Sequence, residues 1–444
     1  MQLENLKSTV MLLGLSAALV WGRAARAEDP NAILDLLEHK GLITHEEARQ
    51  ARKYYDQQQR EAIVKSGKTK VASWIDQMKW YGDFRLRSDY QSFEADLNLP
   101  DRLRWRMRLR VGAEMKVQDW ADIGFRLATG EASPGNAVSA NTTFTSEFTK
   151  KPINVDLAYA TIHPAVVEWM SVTGGKINPP VWAPPFNSPL TYDPDLTVEG
   201  AGENFAWALG DRGQYKVFLN GGQYVLAEFS GNSNDAYMFD QQAGFQARFA
   251  PLTITVAGGY YLTHNLQNVA TNADLSCNTG NTITNGTYLG NFNDWYGVGE
   301  LVWQIRPEPF LGTPAVLKFS GEYLKNVSSV FVNNPLGDAT RGWTGQISFG
   351  DAARKGQWLV AYQYKQLEAN STLDAITDDD FSAGGTDRRG HVIKAAYNLL
   401  DWWQLGFTSY ITGKIDAQRT GANAQPGVQG QTRLHVMADS MFRF

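Results

Sequence analysis

The stretch DRLRWRMRLRVGAEMKV, residues 101–117, decides the fold. From Arg102 onward two chemical classes alternate. Leu103, Trp105, Met107, Leu109, Val111, Ala113, Met115 and Val117 form one set. Arg102, Arg104, Arg106, Arg108, Arg110, Glu114 and Lys116 form the other. Successive side chains of a strand point to opposite faces, so one face is apolar and the other wet. Soluble strands usually run about 5–6 residues. A tilted membrane strand needs roughly 9–11 and tolerates extensions. An arginine on a lipid-facing surface costs about 2–4 kcal/mol at the midplane. The arginines must therefore face inward. Neighbours on one face stand roughly 7 Å apart. Their repulsion is about 0.6 kcal/mol per pair in water but on the order of 10 in a dry interior. The ladder predicts a hydrated lumen rather than a packed core.

The same period extends on both sides of this stretch. Over 80–90, Trp80, Gly82, Phe84, Leu86 and Tyr90 alternate with Tyr81, Asp83, Arg85, Arg87 and Asp89. Further strands are predicted near 121–130, 153–163, 169–177, 201–209, 213–227, 237–250, 252–263, 293–305, 313–327, 340–350, 354–367, 388–400, 402–413 and 432–444. With the first two they make sixteen. The connections sort by parity. Even ones are mostly short, as in QDWA (118–121), GDRG (210–213) and APL (250–252). Odd ones are mostly long: 131–152, 178–200, 264–292, 368–387 and 414–431. Short periplasmic turns alternating with long external loops are the outer-membrane pattern. IRPEPFLGTP (305–314) is long for a periplasmic turn.

The N-terminus reads as a processing signal. Lys7 precedes the apolar run VMLLGLSAALVW (10–21), and Ala25, Arg26 and Ala27 form an A-x-A site. The run is too short for a spanning helix and suits a signal-peptide core. Residues 29–64 read as helical. Pro30 opens the first helix, Gly41 stops it, and Thr44 with Glu47 forms a capping box for the second. The organisation is then a signal peptide over 1–27, a helical periplasmic segment over 28–78 and a barrel over 79–444. The fold class is all-β, a transmembrane antiparallel β-barrel of about sixteen strands. The final strand, LHVMADSMFRF, alternates Leu434, Val436, Ala438, Phe442 and Phe444 with His435, Met437, Asp439 and Arg443. A strand closing on an aromatic residue resembles the bacterial outer-membrane assembly signal.

Composition narrows the function classes. The net charge is −5, and removing 1–27 makes it more negative, so no nucleic-acid partner is expected. One cysteine, Cys277, excludes a disulfide framework and a cysteine-based zinc cluster. The 14 Trp and 18 Tyr suit a membrane–water interface. There is no HExxH and no G-x-S-x-G, and the six histidines neighbour no obvious Ser–Asp set. No enzyme, cofactor or metal is expected.

Residues 172–200, VTGGKINPPVWAPPFNSPLTYDPDLTVEG, resemble the "putative porin" family of Gram-negative outer-membrane proteins. Gly175, Lys176, Asn178, Pro179, Tyr192, Asp193, Asp195, Glu199 and Gly200 carry the resemblance, with ILDLLEHKGLITHEEARQAR and FLNGGQYVLAE (218–228). It implies a homotrimeric diffusion porin in contact with membrane lipid and lipopolysaccharide, passing small hydrophilic solutes. It also implies that the third external loop, 178–200, folds inward as a constriction carrying Asp193, Asp195 and Glu199. Prolines in that loop would stiffen it.

Barrel closure sets the last strand beside the first. Arg433, His435 and Arg443 would then flank Arg85 and Arg87, and these would flank Arg102, Arg104, Arg106, Arg108 and Arg110. The expectation is a contiguous positive wall facing an acidic loop. Asp378, Asp379 and Asp380 lie in an external loop, where a solvated charge run is expected over a calcium site. A different class of function is an outer-membrane anchor whose residues 29–64 bind peptidoglycan or a periplasmic partner.

Overall fold

The computed structural model describes residues 77–93, 100–131, 136–145, 148–185, 188–269, 280–333, 339–415 and 432–444, without the side chains of Thr432 and Arg433. The signal peptide, the helical segment 29–64 and Cys277 lie outside the described residues. The strands are β1 (Gln77–Phe93), β2 (Arg102–Val117), β3 (Ala121–Thr129), β4 (Thr142–Thr143), β5 (Ile153–Ile162), β6 (Met170–Ile177), β7 (Val198–Leu209), β8 (Tyr215–Ala227), β9 (Ala236–Phe249), β10 (Leu252–His264), β11 (Ile283–Thr284), β12 (Thr287–Tyr288), β13 (Asn293–Gln304), β14 (Val316–Asn326), β15 (Arg341–Gly350), β16 (Trp358–Leu367), β17 (Arg388–Leu400), β18 (Trp403–Lys414) and β19 (Thr432–Arg443).

Every strand except the two-residue β4, β11 and β12 belongs to one antiparallel barrel of sixteen staves. Neighbours in sequence pair in space, and β19 returns to pair with β1 from Asp83↔Arg443 to Phe93↔Thr432. Closure leaves no free sheet edge, which a membrane would not tolerate. The seam is tied at its end by mutual backbone bonds between Gly82 and Phe444. A Cβ at Gly82 would lie 2.6 Å from the Phe444 ring, so the close approach needs glycine.

Alternation dictates what each face meets. Along β2, Leu103 and Trp105 are exposed, while Arg106, Arg108 and Arg110 are buried. Exposed aromatics collect near strand ends, with Trp80 and Trp303 at one end and Trp105, Trp295 and Trp343 at the other. These are the two girdles that flank a lipid-facing band. The short turns behave as their residues require. In GDRG, Gly210 and Gly213 hold φ of 83° and 60°, open to glycine without a side-chain clash. The long turn after β13 is folded rather than loose. Phe310 bridges to Thr313, and Thr313 Oγ1 donates to the carbonyl of Trp358 at the start of β16, 2.6 Å away, with the Asp351 carbonyl at 3.0 Å.

The external loops pack together inside the wall. Val138, Leu196, Tyr261, Leu266, Phe292, Phe331 and Leu373 share one apolar cluster drawn from five connections and the strand β10. Residues 369–378 are almost wholly buried. The external half of the inner wall is lined by packed loop residues, because those loops carry both an apolar cluster and the carboxylates described next.

Candidate pore-lining site

Four arginines of β1 and β2 converge with carboxylates on the inner wall. The register sets Arg85 opposite Arg108 and Arg87 opposite Arg106. Alone this would be a repulsive quartet. Asp83, Asp89 and Asp439 share the same inward parity and break it up. Arg87 Nε donates to Asp439 at 2.8 Å, and Arg108 Nη2 donates to Asp83 at 2.8 Å. Asp89, fully buried, lies 3.1 Å from Arg104 and 3.5 Å from Arg106, with His435 Nε2 at 3.3 Å. The expected contiguous positive wall is therefore a mosaic of arginines and aspartates. The same interleaving continues on β3 and β5, where Arg126 donates to Asp156.

The segment between β6 and β7 reaches several sides of the barrel. The Trp182 amide donates to Gln242 of β9, and the Ser188 amide to Gln363 of β16. The Leu190 amide donates to Glu322 of β14, and Tyr192 Oη to Asp240 of β9. Asp195 then meets β2: Arg108 Nη1 donates to it at 2.9 Å, and Arg110 also donates. Burial opposes the Asp195 charge, but Arg110, then Arg108 and Arg85, hold its carboxyl well below the usual range. Asp193, two residues away, goes the other way. Burial raises its carboxyl, and Asp379 and Asp378 raise it further.

A second inward segment follows β16. Asp380 accepts from Arg87 Nη1 at 2.9 Å, and its backbone carbonyl lies 2.9 Å from His435 Nδ1. The amide of Asp379 donates to Asp193, so the two segments touch. Asp378 is buried and accepts from Ser188 Oγ. The expectation of a solvated acidic run is thus corrected: Asp378, Asp379 and Asp380 turn inward. Asp193, Asp378 and Asp379 bring carboxylate oxygens within 4.8 Å of one another, a set that could hold a cation. Hydrogen bonds already account for Asp193 and Asp378.

Two expected site residues stand apart. Glu199 belongs to β7, not to the loop, and pairs with Lys176 on β6 at 3.1 Å. Arg102 is exposed at the external end of β2. Arg433 lies in β19, its side chain outside those described. Sequence reasoning missed Asn141, which accepts from Arg85 Nη2 at 2.6 Å beside β4. It also missed Asp83, Asp89 and Asp439 as ladder partners, although their parity was visible. On the periplasmic side the wall opens into a cavity of about 400 Å³ among Asp83, Arg108, Arg110, Arg126 and Arg443.

No curated protein sequence matches the chain. Among solved structures the chain is similar to OmpT of Vibrio cholerae with loop L8 deleted, at 11% identity and TM-score 0.45, covering 83% of this chain and 99% of that one. It is similar to OprB of Pseudomonas putida at high pH, at 9% identity and TM-score 0.47, covering 87% and 96%. It is also similar to Salmonella typhi OmpF in complex with daunomycin, at 10% identity and TM-score 0.46, covering 83% and 97%. A family profile described as "Putative porin" matches residues 96–295 and 314–424, most of the barrel and most of the chain. The chain therefore belongs to the putative porin family of bacterial outer-membrane barrels.

Proposed function

We propose that this porin-type channel passes small hydrophilic solutes by passive diffusion along its charge-mosaic wall. On this reading the segment between β6 and β7 forms the narrowing, with Asp193 and Asp195 on its acidic side. Arg85, Arg87, Arg104, Arg106, Arg108 and Arg110 stand on the wall against which that segment is held. The observation that carries it is the contact of Asp195 with Arg108 and Arg110, which supports a loop held against the β2 wall. Fixed charges of both signs set side by side along a narrow passage make a strong local field. Such a field orders water and dipolar solutes and disfavours apolar ones, and rings of charge set ion preference. Self-association into homotrimers belongs to the same reading, supported by the family resemblance.

Conductance of the purified full chain in planar bilayers tests it. Discrete, ohmic steps are expected. A heat-modifiable, folded barrel that inserts without conducting would overturn the channel and favour an anchor.

A further inference from the structure

The outer face of the barrel is largely apolar, and in one sector a cluster of charged and amide side chains interrupts it. Large apolar side chains are exposed nearly all round it, among them Trp105, Val256, Trp295, Phe319, Trp343 and Ile393. On β7 the outward set is fixed by Phe205 and Trp207, which stack with Trp169 near the periplasmic turn. Glu203 and Glu199 share their parity. Register carries this face onto β6, where Val172 opposes Glu203 and Lys176 opposes Glu199. It continues to Gln223 on β8 and Gln241 on β9, through Ala201↔Gln223 and Gly221↔Gln241. The opposite parity points inward: Asn204 donates to Asn220, Asn220 to Gln242, and Gln242 to the Trp182 carbonyl.

These polar groups stand at membrane depth. Glu203 is four residues from Trp207. In a strand tilted about 40° that is roughly 10 Å along the membrane normal, inside an apolar band about 25 Å tall. Its carboxylate accepts a long bond from Gln223 Nε2 at 3.4 Å. Glu199 pairs with Lys176, yet its side chain remains 68% exposed. Gln223 and Gln241 are exposed as well. Lipid offers none of them a hydrogen-bond partner, and an unsatisfied polar group in hydrocarbon costs several kcal/mol. Small residues lie between them, including Gly174, Ala201 and Gly221, and small residues let two walls approach closely.

We propose that this outward sector of β6 to β9 is the contact surface between copies of this chain. A barrel wall in a membrane meets either lipid or another membrane protein. The sector carries a cation, two anions and two amides that both donate and accept, so its charge is complementary to that of a second copy. In a ring of copies each wall presents the same sector toward a common axis, which satisfies these groups away from lipid. The inference rests on the reading that copies associate, and not on conduction.

Cysteine cross-linking in native outer membranes tests it, in a Cys277→Ala background of the full chain. Gln223→Cys and Gln241→Cys probe the sector, and Phe319→Cys probes the lipid face. Heat-modifiability on gels establishes that each barrel is folded. With a flexible bis-maleimide, the two sector variants should shift from the monomer band to a multiple of its mass, while Phe319→Cys stays monomeric. Native mass spectrometry of the parent in detergent should give more than one copy. A folded monomer in that spectrum would overturn both self-association and the surface. An oligomer that links at Phe319→Cys, or equally at all three positions, would overturn the surface alone.

Discussion

Asp195 Oδ1, on the segment between β6 and β7, lies 2.9 Å from Arg108 Nη1 on β2, joining residues 87 positions apart. Arg108 also donates to Asp83 of β1 from Nε and Nη2. One guanidinium thus ties two wall strands to an inward loop. Its planar fork suits it to such multiple contacts in a way a lysine would not.

Changing either partner should move ion preference in opposite directions. Asp195→Asn removes the acid and leaves Arg108 and Arg110 less compensated, so the reversal potential in a salt gradient should shift toward anions. Arg108→Gln should shift it toward cations. Each change is expected to alter the permeability ratio several-fold at low salt, and less at 1 M, where the Debye length is about 3 Å. The same sign of shift for both variants would place these groups off the conducting path.

Barrel stability should depend on Asp89. Its carboxylate is fully buried between Arg104, Arg106 and His435. Asp89→Asn leaves buried cations uncompensated, which costs about 3–5 kcal/mol. The unheated barrel band should convert to the unfolded form at a clearly lower temperature. Asp119→Asn, which removes the exposed partner of Lys116, should leave the conversion temperature unchanged.

Packing of the loops should weaken as pH rises through the mildly acidic range. Buried Asp374 accepts from the Asn281 amide and from Tyr288 Oη, linking the loops after β10 and β16. Burial pushes its carboxyl up to about 6. An unfolded aspartate titrates near 3.9, so between those values the packed form binds more protons than the open form. Its stability therefore falls with rising pH across that window, by up to about tenfold in opening equilibrium per pH unit. Asp380 acts in the opposite sense. Burial works against its charge, yet Arg87 and then His435 hold it down at about 2. Its contribution is present above about pH 4 and is lost as pH falls through 2. Hydrogen exchange of 369–377, corrected for intrinsic rates and followed from about pH 4 to 7, should show declining protection. Asp374→Asn should flatten that decline; an unchanged slope would assign it to another group.

Outward positions on β2 should reject charge. Leu109→Arg places a guanidinium in the lipid-facing band, at a cost of about 2–4 kcal/mol. The yield of heat-modifiable barrel should drop. Gln246→Arg, on the inward parity of β9, should fold with little loss.

The sequence determined the barrel because its evidence is local. Strict alternation in 102–117 names the two faces without reference to any distant residue, and turn chemistry marks where each strand stops. All sixteen staves were legible in this way, with ends within a few residues of the observed ones. The inward placement of Arg106, Arg108 and Arg110 followed from the cost of charge in lipid. Asp83, Asp89 and Asp439 were also legible by parity; the register across β1, β2 and β19 shows how they meet the arginines. Asn285–Gly286, with φ of 53° and 82°, turns the β11–β12 hairpin and was a readable signal inside a long loop. What only the tertiary structure decided was where the long loops go. Nothing local distinguishes Asp378 in a solvated loop from Asp378 buried against Ser188 of another loop. Glu199 and Asp195 are four residues apart in acidic, proline-rich sequence. Yet one points outward beside Lys176 and the other inward to Arg108 and Arg110. Strand parity is set by the backbone at each residue, whereas a loop's path is set by partners tens of residues away, once the barrel has brought them together.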